Sequence, residues 1–339
     1  MQLVRALKRP QPLPVVRESG FERPPPSTPM TATDVELNFA PEWDQPIAYI
    51  ARTHQWYGML GYANPYRYAQ YTKVPFARLA KALAHSRVAL LTTAAPYQAD
   101  KGCQGVRSAY NAAAKFFKVY SGDTALDHDL RISHVGIDRA QAVDDANTWF
   151  PLPALRRAAA AGRIGAVAPR FIGVPTNRSQ RHTLEVDCAD VLALCRADLV
   201  DAAVLVPNCP VCHQTMSLTA RHLEANGIPT IIIGAARDIV ELCGVPRFLF
   251  SDFPLGNAAG LPFDESACDA TLELAMAVLE SAVAPRTTVQ NPLRWSGPAD
   301  WRLDFMNVER LAPAEIARRR AENDRITAVA QGVRDRTLA

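Results

Sequence analysis

Between Ala202 and Ala282 short apolar runs take turns with amphipathic stretches of helical length. The runs AAVLV (Ala202–Val206), TIII (Thr230–Ile233) and FLF (Phe248–Phe250) are too short for helices, and they are apolar on both faces of any strand they form. Strands of that kind must be covered on both sides, the situation of a parallel sheet. The intervening stretches supply the cover. The spacing predicts helices over Cys212–Ala225, with Gly227 as its stop, over Ala235–Leu242, stopped by Gly244, and over Glu265–Ala282. The last sets Leu272, Ala275, Met276 and Leu279 on one face. Such alternation means βαβ units with right-handed crossovers and helices on both faces of the sheet.

The first half repeats the pattern less clearly. Arg87–Thr93 (RVALLTT) reads as a buried strand, and Ile132–His134 as a second strand end. A helix is expected from about Ala140 to Asn147, another over Pro151–Ala161 before Gly162, and a strand over Ile164–Ala168. The predicted fold class is α/β, with two doubly wound parallel-sheet (Rossmann-like) units at residues 86–190 and 191–285. Residues 1–45 are proline-rich around Pro24-Pro25-Pro26 and favour extended chain lying over the surface or a partner subunit. Residues 46–85, with THQWYGMLGYANPYRYAQY, suggest short helices with tyrosines packed between them, serving as core and interface or as a lid over a site. Residues 286–339 form a C-terminal extension whose final helix runs from about Ala314 to Ala330.

The formal charge is only +3, which gives no reason to expect nucleic acid or an anionic membrane as partner. The Arg318-Arg319-Arg320 run reads as a solvated helix face. No apolar run near the N-terminus suits a signal peptide, and no window approaches the ~18 apolar residues that span a bilayer. Cytoplasmic residence is therefore expected, where seven cysteines are not a disulfide framework. Neither GxGxxG nor GxxxxGK[ST] follows a predicted strand, so no nucleotide cofactor is expected and electrons should arrive as thiols.

The motif VPNCPVCHQT, Val206–Thr215, carries the chemistry. Val206 ends a strand, Pro207–Pro210 turn, and the helix begins at once. Ligands of open α/β sheets bind beyond the carboxyl ends of the strands, which sets Cys209 at the mouth of that crevice. Unpaired N–H groups of a helix N-terminus favour a thiolate there, and Pro210 presets the entry angle. Cys209 is thus the candidate nucleophile and Cys212, one turn on, the resolving thiol. Three other readings stay open at this point. Cys-x-x-Cys-His also attaches haem c, which export normally precedes. Zinc at Cys209 and Cys212 needs further ligands, for which only Cys188 and Cys195 offer themselves. In the third the cysteines only pack.

Around them, His213 and His134, the latter followed by Asp138, are candidate acids or bases. Arg237 and Asp238 open the next helix on the same sheet edge, and an arginine there suits a substrate carboxylate. Thr92 and Thr93 end the first strand, and Asn257 with Gly256 shapes the floor of the crevice. His222, Cys243 and Cys268 read as packing or surface residues. A racemase or lyase with two opposed cysteines is a second enzyme class, for which Cys103 is the first-half candidate. A third reading is a non-catalytic subunit whose cysteines hold zinc or dock a partner.

The run Ala203–Gly260 resembles selenoprotein B of the glycine, sarcosine and betaine reductases and the related D-proline reductase subunit. In that family a strand leads to a turn bearing selenocysteine, followed by a cysteine-containing helix, a GIP strand entry and a PLGN or PLGD loop. Here Cys209 stands in the selenocysteine position, beside Cys212, Gly227-Ile228-Pro229 and Pro254-Leu255-Gly256-Asn257. The resemblance extends upstream through ARTHQWYGMLGY, RVALLTTAA and Ser133-His134 to Phe150-Pro151, covering residues 46 to about 290. It implies attack by a chalcogenolate on carbon, with a small-molecule substrate activated by a pyruvoyl group on a partner subunit. Resolution then falls to a neighbouring thiol, and a thiol reductant or thioredoxin-like donor restores the pair. Cysteine is a weaker nucleophile than selenocysteine, so the amino-acid substrates of the known reductases do not transfer. A homo-oligomer is expected.

Overall fold

The computed structural model describes residues 45–64, 66–104, 110–132, 137, 144–297 and 301–338. Within them the chain enters through helix α1 (Tyr49–Met59) and, after a long irregular stretch, reaches β1 (Arg87–Thr92). There follow β2 (Ala95–Pro96), β3 (Tyr120–Asp123), β4 (Leu130–Arg131), α2 (Leu152–Ala160), β5 (Ala166–Val167) and β6 (Arg170–Gly173). A π-helical turn, Thr183–Asp187, leads into α3 (Cys188–Ala197). The second half is β7 (Ala202–Val206), α4 (Pro210–Ala225), β8 (Thr230–Gly234), α5 (Arg237–Cys243), β9 (Arg247–Phe250), α6 (Glu265–Ser281), β10 (Thr287–Gln290) and the terminal α7 (Pro313–Leu338).

All of these strands except β2 and β4, which pair antiparallel with each other, make one sheet in the order β10-β9-β8-β7-β1-β6-β3, with β5 also on β1. All its pairs are parallel except β3 with β6. Two separate sheets were expected. Instead β7 lies along the whole of β1, from Val88 opposite Ala202 to Thr92 opposite Val206, so the two predicted units are halves of a single sheet. Both strands are apolar on both faces, and a central position with a strand on either side buries them best. The pleat divides the core accordingly. Ala202, Val204, Val206, Ile231 and Ile233 face one layer, whereas Ala203, Leu205 and Ile232 face the other. Each fully buried Val, Leu or Ile contributes about 1.5–3 kcal/mol.

Local chemistry explains the helix ends. Asp264 caps α6 by accepting from the Ala267 N–H, and Gly244 closes α5 at φ 77°. Several first-half expectations are corrected. Of the strand expected over Ile164–Ala168, only Ala166–Val167 pairs, with Arg87–Val88, and the longer strand is Arg170–Gly173. The helix expected from about Ala140 starts outside the described residues, and Ala146–Thr148 is a single 3-10 turn capped by Asp145. Among the described residues of 46–85 there is one α-helix, Tyr49–Met59, and a 3-10 turn, Leu83–His85. No helix among the described residues is long and apolar enough to cross a membrane.

Candidate active site

β1, β6 and β7 all end at the same edge of the sheet, and the segments that follow them meet there. After β7, Cys209 adopts an extended conformation (φ −109°, ψ 171°) and caps α4, its Sγ accepting the Cys212 N–H at 3.3 Å. Pro210 occupies the first helical position, where its missing N–H costs nothing. Neither cysteine is in a disulfide. Cys212 is fully buried, with its Sγ 3.2 Å from the Thr176 hydroxyl beyond β6.

Cys209 is 6% exposed and forms part of the wall of a cavity of about 50 Å³. Trp56 and Tyr57 of α1, Lys115, Thr176 and Arg178 share that wall. By the one-probe-sphere measure of roughly 10–15 Å³, the space takes a molecule of a few heavy atoms. Tyr57 and Trp56 bring the aromatic segment to the cavity wall. Gln214 of α4 fastens that segment, accepting from the Ala69 N–H and donating to the Tyr66 hydroxyl, both at 2.5 Å.

An ionised Cys209 is expected from the helix N-terminus, and burial of the sulfur works against it. Burial pushes the thiol well above its ordinary value, and the neighbouring Cys212 thiol pushes the same way. The Cys212 N–H and the Arg178 charge pull in the opposite direction, but one hydrogen bond and one cation do not outweigh removal of the sulfur from water. Arg178 holds a left-handed backbone (φ 57°), which costs a non-glycine residue about 1–2 kcal/mol. Its exposed side chain lies over the Tyr57 ring at 4.9 Å. The turn is pinned from behind by Asn177, whose Nδ2 donates to the Phe117 carbonyl at 3.1 Å and to Asp187 at 3.0 Å.

His213 has another duty than acid–base chemistry. Its Nε2 accepts from the backbone N–H groups of Ala235 and Ala236 at 3.0 and 3.1 Å. Nδ1 must then carry the hydrogen and donate to the Cys209 carbonyl at 2.8 Å. The ring is fully buried and its pKa pushed down to about 4, so it stays neutral and ties the turn after β8 to the cysteine turn.

The other sequence candidates are also occupied in holding loops. Thr93 Oγ1 accepts from the Asn208 N–H at 3.1 Å and Thr92 Oγ1 from the Ala94 N–H at 3.1 Å. Both threonines are fully buried, next to the site but not on the cavity wall. Asn257 is buried and its Nδ2 closes its own loop on the Pro254 carbonyl at 3.2 Å. Arg237 is exposed and pairs with Glu241 at 3.0 Å, away from the cavity wall. Asp238 accepts the Ile50 N–H at 2.8 Å and so anchors the start of α1. His134 and Asp138 lie outside the described residues. Cys103 is exposed and lines no part of the cavity, so the opposed-cysteine arrangement is not assembled here. Cys188 is turned to Thr219 and Cys195 to the core, and no group of three or more His, Cys, Asp or Glu suited to a metal occurs among the described residues.

Lys115, Thr176 and Arg178 escaped the sequence reading. The TNR triplet follows a strand too short and too polar at its start to be recognised, and Lys115 sits in AAAKFFK with no motif around it.

Comparison with known proteins bears on the same region. The family model of glycine/sarcosine/betaine reductase selenoprotein B matches residues 60–207, ending just short of Cys209. The chain is 34% identical to D-proline reductase subunit gamma of Acetoanaerobium sticklandii over 185 residues, 54% of this chain and 73% of that protein. It is 28% identical to glycine reductase complex component B subunit gamma of Carboxydothermus hydrogenoformans over 160 residues, 46% of this chain and 37% of the relative. No solved structure matches the chain.

Proposed function

The chain belongs to the family of selenoprotein B of the glycine, sarcosine and betaine reductases and of D-proline reductase subunit gamma, and from that premise we propose that it is a thiol-dependent oxidoreductase. It cleaves a carbon–heteroatom bond of a small molecule reductively. Cys209 attacks carbon, forming S–C while the C–X bond breaks and the leaving group departs as HX. Cys212 then attacks the Cys209 sulfur, forming the disulfide and releasing the carbon fragment, which takes a proton. The balance is R–X plus two thiols to R–H, HX and one disulfide. The second step needs a carbon whose departing electron pair is stabilised, as beside a carbonyl or iminium group.

The observation that carries this reading is the stacking of the two sulfurs. Cys209 reaches the cavity wall, and Cys212 lies one helical turn deeper with its N–H on the Cys209 sulfur at 3.3 Å. Both relatives bear the names of subunits, one of them of a complex. We therefore include further subunits in the reading, among them one of the pyruvoyl type to activate the substrate, and a thiol reductant or thioredoxin-like donor to reopen the disulfide.

The test is mass spectrometry of the Cys209 peptide after incubation with cell extract. Cys212→Ser should trap an adduct on Cys209 that the wild type resolves to a disulfide. Absence of both adduct and disulfide, with full thiol counts retained, would end this account.

A further inference from the structure

Burial favours the protonated thiol at Cys209, and a nucleophile must lose that proton. Which group receives it is decided by what faces the cavity. His213 is committed on both nitrogens to backbone. The phenols of Tyr57 and Tyr110 are pushed up by burial, so at neutral pH they keep their own protons. Arg178 never deprotonates. No carboxylate lines the cavity among the described residues.

Lys115 remains. It follows the 3-10 turn Ala112–Ala114, which Asn111 caps, and its stem is half-buried with the amine 4.8 Å from the Phe117 ring. Burial lowers its pKa to about 8, and the Arg178 charge acts the same way, with a smaller push from Arg334 of α7. Cys209 and Cys212 act in the opposite sense. A buried lysine beside a second cation is a recognised way to keep an amine free near neutral pH.

We propose that Lys115 takes the Cys209 proton and that Arg178 holds the thiolate this leaves. The inference rests on the thiol reading above. The S–H bond breaks and an N–H bond forms on Nζ, with no electron transferred. A neutral thiol–amine couple becomes a thiolate–ammonium couple, opposite the Arg178 guanidinium. When the sulfur attacks carbon, the ammonium returns its proton to the leaving heteroatom.

The test needs no substrate. The full chain is alkylated with iodoacetamide, an uncharged probe, from pH 6 to 10, and the rate at each cysteine is read by peptide mass spectrometry. Exposed Cys103 serves as the internal reference. In the wild type the Cys209 rate should rise with a midpoint near Lys115's value of about 8. In Lys115→Met the midpoint should move up by a pH unit or more, slowing Cys209 at pH 8 about tenfold, while Cys103 is unchanged. As a second measurement on well-folded protein, lysines are reductively methylated with ¹³C-formaldehyde and titrated by NMR. Cys209→Ser should then shift the Lys115 midpoint. An unmoved Cys209 profile in Lys115→Met, or an unmoved Lys115 titration in Cys209→Ser, overturns the proton-carrier role and leaves the thiol reading standing. Failure of Cys209 to react at any pH, while Cys103 does, removes both.

Discussion

The Thr176 hydroxyl sits 3.2 Å from the Cys212 sulfur, joining the segment after β6 to the deeper of the two thiols. Thr176 also faces the cavity, so one residue touches both that space and the deeper thiol. A hydroxyl in that position orients the sulfur and supplies it with a polar partner.

Replacing Thr176 by Val keeps the shape and removes the hydroxyl. A buried hydrogen bond of this kind contributes about 0.5–1.5 kcal/mol, so thermal unfolding should fall by no more than a few degrees. The larger effect should be on the second chemical step. The expected outcome is a longer-lived adduct on Cys209, measured as the ratio of adduct to disulfide at fixed times. An unchanged ratio would assign Thr176 to packing alone.

The buried ion pair between Glu224 and Arg247 should be the most sensitive polar contact in the second half. Their side chains are 0% and 1% exposed and meet at 2.8 Å. Glu224 also accepts from the N–H groups of Ala77 and Thr230, both at 2.5 Å, which ties the irregular stretch before β1 to β8. Glu224→Leu leaves a buried guanidinium without its carboxylate. Chemical denaturation should show a loss of about 3–5 kcal/mol. A loss under about 1 kcal/mol would mean that water reaches Arg247.

His213 makes stability depend on pH in a direction that can be worked out. Its folded pKa, about 4, lies below the 6.5 of the free side chain, so between these values the unfolded chain binds the extra proton. Stability is therefore full above pH 6.5 and is lost progressively as pH falls toward 4. The separation corresponds to about 3 kcal/mol. His213→Phe should lack this component, and it should also be less stable at pH 7, because the Ala235 and Ala236 N–H groups lose their shared acceptor. Denaturation curves at pH 5 and pH 7 for both proteins provide the check.

The position of Cys209 was readable because an apolar run, a proline turn and a helix start lie next to each other in the chain. The same is true of β7, β8 and their helices, whose pattern is local. What escaped depends on distance in sequence. Strand β6 has four residues beginning with an arginine, and β3 reads as the polar YSGD, so neither announces itself. The approach of Lys115 and Arg178 to Cys209 follows from β6 lying next to β1, an order no periodicity encodes. The burial of Cys209 was hidden for a similar reason. The helix terminus was visible, whereas the burial opposing it comes from α1 and the loop after β6. His213 likewise looked like a titrating group until both its nitrogens found backbone partners.

Gly234 tests the same joint from the other side. A Cβ there would meet the His213 ring at 2.9 Å and Phe248 at 3.2 Å, because the end of β8 passes directly against the imidazole. The ring cannot retreat without leaving two N–H groups behind, so Gly234→Ala should destabilise by about 1–3 kcal/mol. It should also disturb the cysteine turn, since His213 Nδ1 holds the Cys209 carbonyl. The double variant His213→Ala with Gly234→Ala removes the obstacle as well as the lock. Residues in contact do not add, and the expected coupling is at least 0.5 kcal/mol in the direction of rescue. Strict additivity in a double-mutant cycle would show that the strain of Gly234→Ala is relieved elsewhere, against Phe248, and that the two turns are held together by something other than this ring.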